Sequence, residues 1–197
     1  MKPVLIKACD TDNVIVAVHV FATLQDAGLV RLWVEFGQGQ SVKWFPIHNM
    51  VLSLSPEKSS SMLFFHAFTG CDVVSTFYGK GKKTVWQAWE VYPEVSPAIR
   101  NDSQYPAIIE DADLNIIEKF VITMYDKQSS TGKVDEARLE LFAQKQRSYD
   151  AIPPTSVSLL QHVKRSTFLD MLEGRPLICC LHMGPGNSVY NADRKSC

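Results

Sequence analysis

The first fifty residues alternate between apolar and polar stretches in a way that predicts strands connected by a helix. Residues 4–9 form a short apolar run that we interpret as a strand. A longer apolar run covers residues 14–21 and suits either a buried helix or a strand. We favour a helix that begins at Asp12 and ends near Gly28, with the glycine as its C-terminal stop.

Further along the chain, an alternating pattern is followed by helical spacing. Residues 30–36 and 41–47 flank a glycine-rich turn and predict a hairpin. From Gly174 onward no steady period persists, so an irregular, mobile tail is expected. The intervening pattern predicts helices over residues 55–69, 83–92, 94–100, 114–124, 134–147 and 157–172.

Composition limits the class of protein. The chain has 197 residues, 46% hydrophobic and 21% charged, which favours a packed core over disorder. The formal net charge of −1 means that any nucleic-acid contact must come from a local basic patch. Five scattered cysteines without a Cys-x-x-Cys pattern indicate neither a disulfide framework nor a zinc site. Without a secretory leader or a bilayer-length apolar run, we expect a nuclear or cytoplasmic protein without a membrane partner.

A cationic glycine turn lies between an apolar run at residues 62–68 and an amphipathic run at residues 84–89. Its sequence is Gly79-Lys80-Gly81-Lys82-Lys83-Thr84. The two glycines allow a sharp turn, and the following helix directs its unpaired N–H groups and partial positive charge at that turn. Such a concavity suits a phosphate. The alternative is a solvated corner between two helices without a ligand.

Acidic residues occur at two helix starts. Asp10 and Asp12, at the end of the first strand, could converge on a divalent ion. The alternative is that either aspartate caps the helix and does nothing more. We interpret the second cluster, Glu110, Asp111 and Asp113, as solvated charge at a helix N-terminus.

The order of these motifs resembles that of the flap-endonuclease-like 5′-nucleases, which have a PIN-like fold. The resemblance lies in Asp-x-Asp after a strand, then Gly70-Cys71-Asp72, then the glycine turn before a helix. It implies that Asp10, Asp12 and Asp72 bind Mg²⁺ or Mn²⁺ and that residues 79–84 hold a duplex phosphate. A K⁺ ion at the helix–two-turn–helix turn is also implied. Lys80 and Lys82 depart from the family, which commonly has an apolar residue and a proline at these positions.

A broader resemblance, from Asp10 to about Phe168, is to uncharacterised animal proteins associated with mobile elements, and it implies a transposon-derived chain. The matching runs are residues 66–72, 79–84, 134–138, 152–155 and 161–165.

The resemblance implies an α/β fold in which a truncated PIN-like sheet precedes a helix–two-turn–helix module and a mostly helical C-terminal half. We divide the chain into a partial nuclease core with the module (1–92), a helical extension (93–172) and a tail (173–197). Because the family's first acids precede the position of Asp10, half of the metal site is expected to be absent. A missing first strand would expose a sheet edge that a partner chain could complete.

Three functions follow from these expectations. The first is a degenerate or truncated nuclease that binds duplex or branched DNA weakly through its phosphates, without reading sequence. The second is an active nuclease half that is completed by upstream sequence or by a partner chain, with two ions about 3.5–4 Å apart. The third is a non-catalytic protein-interaction domain in which the three aspartates serve only as caps.

Overall fold

The computed structural model describes residues 4–8, 10–37, 39–102, 109–145, 151–181 and 189–191. These residues form a mixed α/β structure in which helices predominate over strands, and the prediction of that class is confirmed. The chain forms two compact units, one made of residues 1–63 and 172–197 and the other of residues 64–171.

The first unit is organised around a strand–helix–strand segment. Strand β1 (Val4–Ala8) leads into helix α1 (Asp12–Asp26), and strand β2 (Leu32–Phe36) returns parallel to β1. The apolar face of α1 is buried, which explains the dense run of valines. Gly28, with φ +96°, follows the end of α1, as expected for a C-terminal stop.

Two further strands extend the sheet on either side of β1 and β2. Strand β3 (Lys43–Pro46) pairs antiparallel with β2 after a 3₁₀ turn at Gly39–Ser41, which confirms the predicted hairpin. Strand β4 (Val189–Asn191) pairs parallel with β1. The sheet order is therefore β3-β2-β1-β4, with β3 and β4 at its edges among the described residues.

Further helices make up most of the rest of the described residues. They are α2 (Ile47–Leu52), α3 (Pro56–Ser60), α4 (Met62–Phe68), α5 (Lys82–Val91), α6 (Val95–Asp102), α7 (Asp111–Tyr125), α8 (Val134–Lys145) and α9 (Ser156–Leu181). No helix in the described ranges has both the length and the apolar character needed to cross a bilayer.

The prediction of one helix over residues 55–69 was wrong. The chain breaks at Ser61, between α3 and α4. Just before the break, the Ser59 hydroxyl donates to the Pro56 carbonyl at 3.0 Å, and the Ser60 hydroxyl donates to the Glu57 carbonyl at 3.0 Å. Serine hydroxyls that bond to backbone carbonyls compete with the helical hydrogen bonds, which explains the interruption.

Two further expectations are corrected. Helix α9 continues to Leu181, so Gly174 and Pro176 do not end it, and the part of the predicted irregular tail at residues 173–181 is helical. A proline removes one helical hydrogen bond and often bends a helix without ending it. Asp113 is buried, whereas we predicted that it would be solvated with its acidic neighbours.

The second unit contains the glycine-turn module and the helices that follow it. The Phe68 ring on α4 lies 6.0 Å from the Phe120 ring on α7. The Trp89 indole on α5 donates to the Ser96 hydroxyl on α6 at 2.8 Å. These buried contacts combine α4 to α7 into one core.

Candidate functional site

Asp10 lies between β1 and α1, where it caps the helix. Its Oδ1 accepts a hydrogen bond from the Asp12 backbone N–H at 3.1 Å. The nominal N-cap residue, Thr11, makes no side-chain capping bond, so Asp10 takes that role from one position upstream. The capping bond that the sequence suggested is therefore present, and the role as a metal ligand stays a prediction. An ionised carboxylate still has further lone pairs through which it can bind an ion.

The topology places this pair of aspartates at a favourable position for a ligand. Asp10 and Asp12 follow the carboxyl end of β1, and β1 has β2 on one side and β4 on the other. In open α/β sheets, ligands bind outside the carboxyl ends of the strands, at the point where the strand order reverses. The β1–α1 junction lies at the carboxyl end of a strand that has a parallel neighbour on each side.

Asp72 lies at the tip of a tight turn in the second unit. The Cys71 N–H donates to the Val74 carbonyl at 3.1 Å, and Asp72 and Val73 between them are exposed. Asp10 and Asp12 belong to the first unit. The convergence of all three aspartates on one ion therefore stays a prediction.

A divalent ion is held by ligand atoms from several side chains that lie close together. Among the described residues, no group of three or more His, Cys, Asp or Glu side chains is arranged to hold a metal. Mg²⁺ often keeps most of its water and takes only one or two carboxylates. Binding of a hydrated divalent ion at Asp10 and Asp12 therefore stays a prediction.

The glycine turn has a backbone that leaves space for an approaching chain. Gly79 has φ +66°, in the left-handed region that favours glycine, whereas Gly81 is extended at φ −74° and is the N-cap of α5. A Cβ added at either glycine would meet nothing within 4 Å. The turn thus has free space at the two positions where other residues would carry a side chain.

The three lysines of this turn are not equivalent, although we predicted one shared role for them. The Lys82 ammonium donates to the Gly70 carbonyl at 2.8 Å, the Thr69 hydroxyl at 3.0 Å and the His66 carbonyl at 3.3 Å. It therefore satisfies carbonyls at the C-terminal end of α4, where the helix dipole favours a cation.

The other two lysines differ from Lys82. The Lys80 ammonium lies 4.6 Å from the centre of the Tyr125 ring, in a cation–π contact. Lys83 is exposed in the first turn of α5. Thr84 is half-buried, and its N–H donates to the Gly81 carbonyl at 2.9 Å. Lys83 is consequently the lysine best placed for a phosphate that approaches α5.

The position of Lys82 also bears on the K⁺ ion that the resemblance implies. A K⁺ ion at a turn would be held by carbonyl and hydroxyl oxygens, and three such oxygens already accept hydrogen bonds from the Lys82 ammonium. Any K⁺ at this turn must therefore use other oxygens.

We expect Lys82→Met to lower the free energy of unfolding by about 1 kcal/mol, because it removes charged hydrogen bonds at a partly exposed position. The matched control Lys83→Met changes an exposed lysine of the same helix turn and should cost less than about 0.5 kcal/mol. Urea denaturation of both variants measures the difference. Equal losses would contradict the capping role of Lys82.

A buried histidine in the second unit carries polar contacts that the sequence did not indicate. The Nε2 of His162 on α9 lies 2.9 Å from the Phe68 carbonyl, and its Nδ1 lies 3.3 Å from the Ser75 hydroxyl. Because a carbonyl only accepts, Nε2 carries the proton and Nδ1 accepts from Ser75. Burial lowers the pKa of His162, and the nearby Arg165 charge lowers it further, against the opposing effect of the Phe68 carbonyl.

Comparison with known proteins adds no relative, since no protein-family model, curated protein or solved structure matches this chain.

Proposed function

We propose that this chain binds the phosphate backbone of duplex or branched DNA, without reading sequence, at the glycine turn of residues 79–84. The proposal includes a PIN-like, 5′-nuclease-type ancestry, with the β1–α1 aspartates at the position of its metal ligands. Affinity is expected to be weak, with a Kd of about 10⁻⁴ to 10⁻⁶ M at physiological salt.

The observation that carries the proposal is the open N-terminus of α5. Gly79 turns the chain in a left-handed conformation, and a Cβ added at Gly79 or Gly81 would meet no atom within 4 Å beyond its chain neighbours. The first N–H groups of a helix have no intrahelical acceptor and carry partial positive charge, so they attract phosphate. Exposed Lys83 adds a full charge at the same end of the helix.

A divalent ion, when bound, would supply a Lewis acid that activates water and stabilises a leaving oxygen. In this chain, Asp10 and Asp12 would orient such an ion at the carboxyl end of β1, and Asp72 is proposed as a third ligand. Three carboxylates are few for the two ions that phosphodiester cleavage commonly uses. We therefore propose DNA binding rather than cleavage as the activity of this chain by itself.

Lys83→Ala should reduce the slope of log K against log salt concentration by about 1, because one phosphate contact and its released counterion are lost. Lys127→Ala is the control, since Lys127 is an exposed lysine of the same unit and lies outside residues 79–84. Fluorescence anisotropy with duplex and branched DNA at several salt concentrations measures both slopes. Salt-independent binding, or identical slopes for the two variants, would rule out the proposal.

The active-nuclease alternative predicts Mg²⁺-dependent cleavage that is lost in Asp72→Asn. Such cleavage, either in this chain or after addition of a partner chain or upstream sequence, would replace the proposal of binding alone.

One observation favours the protein-interaction alternative, namely that Asp10 already caps α1. This alternative predicts that Asp10→Asn leaves the free energy of unfolding and any DNA binding unchanged, because the asparagine side chain can still accept the Asp12 N–H. Absence of DNA binding at low salt would support it.

A further inference from the structure

A pocket in the second unit gathers cationic and hydroxyl groups from distant parts of the chain. Its volume is about 290 Å³. Its wall includes the loop at residues 75–78, Tyr125 at the end of α7, Arg138 on α8, the segment at residues 152–154, and one face of α9. The runs 134–138, 152–155 and 161–165, quoted above for their resemblance, all contribute to this wall.

The charge of the pocket is one-sided. Arg138 and Arg165 line it, and none of its lining residues is an aspartate or glutamate. The Ser158 hydroxyl accepts a hydrogen bond from Thr155 and keeps its own proton for an oxygen-rich anion. Burial lowers the pKa of His162, which favours its neutral form and leaves the positive charge to the two arginines.

Arg138 is held in a defined direction. A guanidinium N–H of Arg138 donates to the Pro153 carbonyl, which orients the side chain along the pocket wall. An arginine has five N–H donors in a planar arrangement that matches phosphate oxygens, so this bond leaves donors for a ligand. Burial raises the pKa of Tyr125 to about 12, against the opposing effect of the nearby Arg138 charge. Its hydroxyl therefore stays protonated at neutral pH.

The rest of the wall is apolar and aromatic. Phe77, Ile152 and Pro153 supply carbon surface, and Tyr78 adds an exposed ring. The volume is near the lower end of the range for small-molecule sites, roughly 300–1,000 Å³. A bare phosphate would leave the apolar wall without contact, whereas a phosphate attached to a flat body would use both parts.

We propose that this pocket binds a small phosphate monoester with a flat or apolar body, of the chemical type of a nucleoside monophosphate. The two arginines bind the phosphate, and the Phe77 and Ile152 side contacts the body. The pocket adjoins the glycine turn, because Tyr125 in its wall contacts Lys80, but none of residues 79–84 lines it.

The test is a calorimetric titration of the full chain with adenosine 5′-monophosphate, adenosine and inorganic phosphate. We expect the monophosphate to bind at least tenfold more tightly than either of the others. Arg165→Gln should weaken it by about tenfold, since a charged hydrogen bond is lost. Lys164→Gln, the neighbouring residue, does not alter the pocket lining and should change the affinity less than twofold.

Urea midpoints of the two variants check that both stay folded, since Arg165 is exposed and Lys164 is partly exposed. Equal affinity for adenosine would overturn the assignment of the phosphate to the arginines, and equal affinity for inorganic phosphate would overturn the apolar contact. Absence of binding, or equal effects of the two substitutions, would overturn the site. Lys83→Ala should leave monophosphate binding intact, so the DNA proposal and this one fail independently.

Discussion

Gly70→Ala is expected to destabilise the protein by about 3 kcal/mol, one of the two largest effects that the structure predicts. Gly70 lies just after α4 and has φ +99°, a conformation that residues with a side chain rarely adopt. An added Cβ would also lie 2.1 Å from Cγ2 and 3.1 Å from Cα of Thr76. The methyl group can rotate away, but the backbone atom can move only if the loop shifts.

Gly79→Ala is the matched control, because it isolates the backbone strain from the clash. Gly79 also has a positive φ, but its added Cβ would meet nothing within 4 Å. We expect a cost of about 1 kcal/mol from the left-handed conformation alone. Urea denaturation monitored by tryptophan fluorescence measures both values. If Gly79→Ala costs as much as Gly70→Ala, close packing against Thr76 is not the cause.

His162→Leu is expected to lower the free energy of unfolding by about 2–3 kcal/mol at neutral pH, because it leaves the buried Phe68 carbonyl without this donor. The imidazole also packs between two rings, with its centre 5.1 Å from that of Phe68 and 4.8 Å from that of Phe77. Leucine replaces most of the volume, so the loss reports mainly on the hydrogen bonds.

The same histidine should make stability depend on pH. Burial lowers its pKa in the folded state below the ordinary value of 6.5, so the unfolded chain takes up a proton first as the pH falls. The stabilisation is complete above pH 6.5 and is lost progressively as the pH decreases through the folded-state pKa. His162→Leu should remove this component, whereas Ser75→Ala should retain it. Unfolding curves between pH 5 and pH 8 compare the three proteins, and an unchanged profile in His162→Leu would contradict the assignment.

Local signals were sufficient for α1 and for the hairpin of β2 and β3. A valine-rich run that starts after Asp12 and stops before Gly28 defines α1, because the C-terminal glycine and the buried face act within a few residues. The hairpin between β2 and β3 follows from alternation around a glycine turn. Each of these features depends on neighbours in sequence, which a pattern can represent.

The features that the pattern missed depend on distant partners. The Lys82 ammonium bonds to three oxygens in residues 66–70, more than ten positions earlier, and its role as a phosphate ligand stays a prediction. His162 bonds to Phe68 and Ser75, roughly ninety positions earlier, and its helical spacing indicated only a place on α9. The pocket beside it contains residues from five separate segments. Proximity of this kind follows from tertiary packing, which a single sequence does not encode as a local pattern.

The cation at the C-terminal end of α4 is the side chain of Lys82 and is therefore covalently part of the chain. This affects how the protein responds to the salt around it. An ammonium group tethered to α5 has a high effective concentration at its three oxygens and cannot diffuse away. A corner held by a dissolved ion would loosen whenever the supply of that ion fell. The C-terminal end of α4 should keep its geometry in sodium, potassium or choline buffers alike. Changes in cellular ion composition should therefore not alter the loop that contains Asp72.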